Sequence, residues 1–149
     1  MRIQSSVVVN RPIDEVWAFR TDFFNLPRLS GMTLGMRTTT PGPVGVGTTL
    51  QGRVVILGFE TQVSGVISEW DPPHALTVAL VRGAGVRSGS LRQTYGTAAD
   101  GTTVVNMGEV ELGPILKLLW PIVAPYLRRR THAADQKMKR LLEAREASV

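Results

Sequence analysis

The feature that most constrains this chain is a run from Thr48 to Leu112 in which β-branched and apolar residues alternate with polar ones. It is cut at hairpin-like intervals by Gly58, Asp71-Pro72-Pro73, the Gly83 to Gly89 stretch and Asp100-Gly101. The spacing predicts five strands: Thr48 to Leu57, Phe59 to Trp70, Ala75 to Arg82, Ser88 to Gly96 and Thr102 to Leu112. Parallel neighbours need a crossover of a dozen or more residues, and these connections are too short for one, so the run is an antiparallel meander.

What flanks the meander is different in kind. Arg2 to Asn10 reads as another strand, and Arg11-Pro12 then opens a helix, with Asn10 as its expected N-cap, Asp14 and Glu15 in the first turn, and Ile13, Val16 and Trp17 at helical spacing. A second short helix is expected over Phe23 to Leu29, Ser30 to Thr40 is mixed, and Pro41 to Gly47 is a turn-rich loop. After Gly113-Pro114 the helical period returns, with Leu119, Val123, Tyr126, Arg130, Ala134, Met138 and Leu141 on one stripe. Pro121 and Pro125 interrupt this last helix, and because an interior proline costs about 3 kcal/mol, a kink or a helix start is expected at one of them. Ile115 to Leu127 is apolar except for Lys117 but falls short of the roughly 20 residues of a membrane span, so it is expected to lie against the sheet.

The 149 residues fit one domain, residues 1–149, and the amino terminus lacks the apolar core of a signal peptide, so the expected location is cytoplasmic. There is no cysteine, which removes disulfide frameworks, thiolate nucleophiles and every zinc site built on sulfur. The formal charge of +5 is concentrated after residue 127. There Arg128, Arg129, Arg130, Lys137, Lys139, Arg140 and Arg145 face only Asp135, Glu143 and Glu146. With no nucleic-acid motif present, that excess reads as a solvated helix face, and no nucleic acid is expected as a partner.

Three stretches, VNRPIDEVWAFRTDFFNLPRL, ISEWDPPHAL and ELGPILKLLWPIVAPYLRRR, resemble the polyketide cyclase/dehydrase and lipid-transport group of the START-like (SRPBCC) superfamily, and the likeness spans the chain. The resemblance implies an α+β, helix-grip fold: a curved antiparallel sheet wrapped around a long C-terminal helix, with two short helices after the first strand. It also implies a cavity between sheet and helix for a mostly apolar ligand, a hydrophobic small molecule or lipid. The superfamily holds carriers, cyclases, receptors and co-chaperones, so function has to come from the site.

Strand alternation selects a lining for that cavity. Leu50, Gly52, Val54 and Ile56 share one face; Phe59, Val63 and Ile67 continue it, as do Leu76, Val78, Leu80, Leu91, Val104, Val110 and Leu112. The polar residues left on apolar faces are Thr61, Glu69, Gln93, Tyr95 and Asn106, and a buried polar group without a partner costs about 1 to 3 kcal/mol, so these are the candidate ligand contacts. Glu69 sits at a strand end where the alternation can slip. From the helix, Val123, Tyr126 and Arg130 join Phe59 and Val63 as candidate lining, with Arg130 placed to reach an anion or to extend into water. Gly52 and Gly108 are small inward positions where added bulk would fill the cavity.

Catalytic signals are few. The only histidines are His74, in a turn, and His132, on the charged helix; HExxH, GxSxG and paired metal-ligand spacing are absent, and GPVGVGTT lacks the lysine of a phosphate loop. No metal and no cofactor is called for. Glu109 and Glu111 share a strand face that reads as exposed. Two readings of different class follow: carriage of a hydrophobic ligand, or a cyclase or dehydratase in which cavity polar groups steer a polyketide and move a proton. An inward cluster of Arg, Tyr and carboxylate would mark the enzyme, and Tyr95 and Gln93 stand alone in the sequence. A third reading, a peripheral membrane adaptor, uses the basic helix for a transient membrane contact; monomer and homodimer both stay open.

Overall fold

The computed structural model describes residues 2–22, 33–83, 86–99 and 101–147. Its elements are β1 (Arg2–Val9), α1 (Ile13–Thr21), β2 (Thr33–Thr38), β3 (Thr49–Ile56), β4 (Phe59–Asp71), β5 (Ala75–Arg82), β6 (Val86–Ala98), β7 (Gly101–Leu112) and α2 (Pro114–Ala147). The second short helix expected over Phe23 to Leu29 lies outside the described residues. The strands form one seven-stranded antiparallel sheet in the order β1-β7-β6-β5-β4-β3-β2, curled around α2 in the helix-grip arrangement.

The expected meander is present, one strand longer than the alternation indicated. β2 was hidden in the mixed Ser30 to Thr40 stretch because Gly35 and a register shift between Thr33 and Gly35 break its period. The β3–β4 hairpin closes with two residues, Leu57 at φ 53° and Gly58 at φ 84°, the positive pair that matches the twist of a tight hairpin.

Register places Val7, Val9, Leu76, Tyr95 and Val104 on the inner face, where they meet Val16, Trp17 and Phe19 of α1 and Met138 and Leu142 of α2. This is the core. Trp17 stands edge-on to both Trp70 and Tyr95, with ring centroids 5.1 and 5.2 Å apart. Polar contacts on β1 hold α2 in place: Lys139 Nζ donates to the Val8 carbonyl (2.7 Å) and Glu143 accepts from the Asn10 amide (3.0 Å).

Three expectations about the helices need correction. Asn10 does not cap α1; Pro12 occupies that position with extended φ and ψ and no side-chain cap, while the Asn10 amide is taken by Glu143. α2 is one helix from Pro114 to Ala147, so neither proline is its start. Pro121 and Pro125 face solvent, so the carbonyls that lose their intrahelical donors can be hydrated, and the helix continues past them. The buried stripe also differs from the expected one. Val123, Ala124, Asp135, Met138 and Leu142 are buried, whereas Leu119 is 41% exposed and Ile115, Leu118 and Ile122 are more so, since the first turns of α2 extend past the core.

Candidate functional site

Pairing fixes which side chains look into the concave side. Ser5 of β1, Asn106 of β7 and Gln93 of β6 lie in one row, because Ser5 is opposite Asn106 and Asn106 is opposite Gln93; Tyr95 follows two residues along β6, opposite Val104. α2 brings Asp135 onto this row and the last turn of α1 brings Arg20. Asp135 lies 2.9 Å from Ser5 Oγ and 3.0 Å from Asn106 Nδ2. The side-chain amides of Asn106 and Gln93 are 2.8 Å apart, and the Gln93 amide is 2.9 Å from the Tyr95 hydroxyl and 2.6 Å from Arg20 Nη2.

Six polar side chains from five elements therefore meet in one cluster. Asp135 is 4% exposed and Tyr95 2%. Burial pushes the Asp135 carboxyl above its ordinary range, against the hydrogen bonds from Ser5 and Asn106 and the nearby charges of Arg20 and His132. Burial likewise pushes the Tyr95 hydroxyl up to about 12, with Arg20 acting in the opposite direction and Asp135 adding to the rise. Neither group is held in its charged form by its surroundings.

Of the sequence candidates, Gln93, Tyr95 and Asn106 are brought together; Ser5, Arg20 and Asp135 complete the cluster and were missed. The signals were present but weak. Asp135 is three residues before Met138 on the buried stripe, Arg20 is four after the buried Val16, and Ser5 shares strand parity with Val7 and Val9. On an isolated helix a charged residue beside an apolar stripe reads as its solvated border.

Beside the cluster the inner face is apolar and open. Leu91, next after Gln93 on the inward side of β6, is 45% exposed, and Phe59 at the far end of β4 is 78% exposed. Val63, Val78, Leu80 and Thr61 are half-buried on the same face, Thr61 with only a long bond (3.4 Å) to the Gln62 carbonyl. From α2, Val123 is buried, Tyr126 is half-buried and Arg130 is exposed with its guanidinium 5.4 Å from the Tyr126 ring centre. These candidates stand apart from the polar cluster.

Glu69 does not face the cavity. A register shift between Ile67 and Glu69 turns Trp70 inward and Glu69 outward, opposite Thr77, where it accepts from Thr77 (2.7 Å) and pairs with Arg92 (3.0 Å). The Arg92 and Thr77 hydrogen bonds hold its carboxyl below the ordinary range. Both partners are solvated, so Glu69→Gln is expected to change stability by less than about 1 kcal/mol, read by chemical denaturation, and to leave any ligand affinity unchanged. Glu109 and Glu111 are also outward, bonded to Arg2 and Ser88. A groove of about 390 Å³ between β2, β3 and β4 is lined by Gly35, Met36, Arg37, Gln51, Gly52, Arg53, Gln62, Val63 and Ser64; it includes the candidate Val63 and none of the six residues of the polar cluster. Among the described residues no group of His, Asp and Glu is arranged to hold a metal ion, and no helix is long and apolar enough to cross a membrane.

Residues 1–143 match the family model described as polyketide cyclase / dehydrase and lipid transport. The chain belongs to that family. Solved structures agree on the START-like fold. A protein from Thermus thermophilus superimposes with a TM-score of 0.82 at 16% identity, covering 97% of this chain and 98% of the other. The ZhuI aromatase/cyclase from Streptomyces sp. R1128 gives 0.80 at 15% identity, with 97% and 94% covered. A START superfamily protein from Mycobacterium smegmatis gives 0.72 at 17%, with 94% and 98% covered. No curated protein sequence matches significantly. Family members bind hydrophobic ligands or act as polyketide cyclases, and at these identities the likeness to the solved structures carries the fold alone.

Proposed function

We propose that the protein binds a hydrophobic small molecule or lipid in the cleft between the sheet and α2, its apolar part on Phe59, Val63, Leu91 and the Val123–Tyr126 face of α2, and its polar end toward Gln93, Tyr95 and Asn106. The observation that carries this reading is an inward apolar surface left open next to a satisfied polar cluster. Burial of apolar area at about 25 cal/mol per Å² supplies affinity, and a few polar groups fix orientation. Thr61 and Arg130 border the cleft and contact the longer ligands.

A cyclase or dehydratase is the second reading, and a specific observation favours it. Arg20, Tyr95 and Asp135, separated in sequence by 75 and 40 positions, converge on the Gln93–Asn106 bridge, which is the grouping that reading requires. One variant separates the two. For a carrier, a fluorescent polycyclic aromatic binds and is displaced by apolar competitors, and Tyr95→Phe shifts its affinity by about 0.5 to 1.5 kcal/mol. Loss of turnover of a reactive polyketide in Tyr95→Phe, with affinity intact, replaces the carrier by the enzyme.

A further inference from the structure

Gln93 and Asn106 each present an oxygen and a nitrogen at interchangeable positions, so the chain from Tyr95 through Gln93 and Asn106 to Asp135 can run in either direction. In one direction Tyr95 donates to Gln93 Oε1 (2.9 Å), Gln93 Nε2 donates to Asn106 Oδ1 (2.8 Å) and Asn106 Nδ2 donates to Asp135 Oδ1 (3.0 Å). That direction suits an ionised Asp135. It sets the Gln93 nitrogen against Arg20 Nη2 and Nε, at 2.6 and 3.2 Å, donors facing donors.

Turning the Gln93 amide removes the conflict: its oxygen accepts from both Arg20 nitrogens and its nitrogen donates to the Tyr95 hydroxyl. The Gln93 oxygen then faces Asn106 Oδ1 at 2.8 Å, two acceptors in contact, so Asn106 has to turn as well and donate to Gln93. Its oxygen now lies 3.0 Å from Asp135 Oδ1, where the contact is a hydrogen bond only if a proton lies between them. Ser5 continues to donate to Asp135 Oδ2 at 2.9 Å.

We propose that Asp135 is a resident carboxylic acid whose proton sets the direction of this chain, so that Arg20 is presented as a donor to a hydrophobic ligand carrying an acceptor oxygen, such as a ketone. The proposal rests on the reading of the cleft as a ligand site. With the chain in this direction Arg20 retains N–H groups beyond those Gln93 occupies. Asp135 is faced by Arg20 from α1, Tyr95 from β6, the neutral Ser5 and Asn106 from β1 and β7, and His132 from its own helix, while Lys139, one turn on, is committed to Glu143 and the Val8 carbonyl. Burial outweighs the cations among them, which supports the protonated form. Because the folded acid titrates above the unfolded one, the stability Asp135 contributes is complete below the ordinary carboxylate range and is lost as pH rises through its folded titration.

Two measurements test this. The chain has five aspartates, and carboxyl-carbon NMR on aspartate-labelled protein is expected to show one titrating above the ordinary range, its signal missing from Asp135→Asn. Asn accepts at oxygen and donates at nitrogen as the acid does, so that variant is expected to fold and to lose the pH dependence. If it does not fold, conversion of Asp14, Asp22, Asp71 and Asp100 to Asn assigns the one remaining signal. Five ordinary titrations overturn the proposal. The second measurement compares fluorenone with fluorene, which share a skeleton and differ by the carbonyl. About tenfold tighter binding of the ketone is expected, lost in Arg20→Met and reduced as pH rises through the Asp135 titration. Equal binding of the two at every pH overturns the donor assignment while leaving the cleft as a ligand site; binding of neither overturns the cleft reading, and the NMR result then still decides the proton.

Discussion

Replacing Trp17 with alanine is expected to destabilise the protein by about 3 to 5 kcal/mol, among the larger effects of any single truncation. Trp17 is 8% exposed, and its ring is the only one described that touches both Trp70 of β4 and Tyr95 of β6, at 5.1 and 5.2 Å. Removing it takes away the transfer free energy of a large side chain and two edge-on ring contacts worth about 0.5 to 1.5 kcal/mol each, and it leaves a void that α1, at nine residues, has little other apolar surface to close. Guanidinium unfolding followed by circular dichroism reads the effect without depending on tryptophan fluorescence. Trp17→Phe is expected to recover part of the loss, because it restores the ring but not the full area. A loss below about 1.5 kcal/mol for Trp17→Ala would mean that α1 is held by other contacts.

Gly108→Leu is expected to abolish binding of a polycyclic fluorescent probe, with at least about a hundredfold loss of affinity, while costing only about 1 to 3 kcal/mol of stability. Gly108 is inward on β7, and a Cβ there would lie 3.2 Å from Leu91 Cδ2 and 3.8 Å from the Ile3 carbonyl. The close neighbour is the end of a flexible side chain that is itself 45% exposed, so Leu91 can swing aside and the added bulk enters the cleft. Gly52, which the sequence presents as an equivalent position, is not one. A Cβ at Gly52 would sit 2.7 Å from the Gly35 carbonyl of β2 and 2.8 Å from the tip of Met36, so bulk there pushes the edge strand off the sheet before it fills any cavity. Gly52→Leu is expected to lose binding through damage to β2, visible as a fall in stability beyond that of Gly108→Leu. A folded Gly108→Leu that binds the probe like the parent would place the ligand site elsewhere.

The sequence by itself determined the antiparallel meander and the inward set of apolar strand residues. Each of these rests on short-range physics: side-chain alternation of period two, turn residues at hairpin spacing, and connections too short to cross over. It also selected Gln93, Tyr95 and Asn106 correctly as inward polar groups, because a polar residue on an apolar strand face is visible within a few positions. Where the period itself was interrupted, it failed. The register shift before Glu69 turned an expected ligand contact into a solvated partner of Arg92, and the irregularity at Gly35 concealed β2.

Only the tertiary structure could decide that Ser5, Arg20 and Asp135 meet those three residues, since β1 and β7 become neighbours when the sheet closes its order and α2 crosses them afterwards. The same holds for the character of Asp135. Along the sequence it is one charge in a basic helix that water would keep ionised; burial beneath Ser5 and Asn106, with the Gln93 amide claimed by Arg20, gives the proton a place on it. Which form a carboxyl takes depends on the solvation and the hydrogen-bond partners that packing assigns, and here those partners come from β1, β6, β7 and α1, which only the folded sheet gathers against α2.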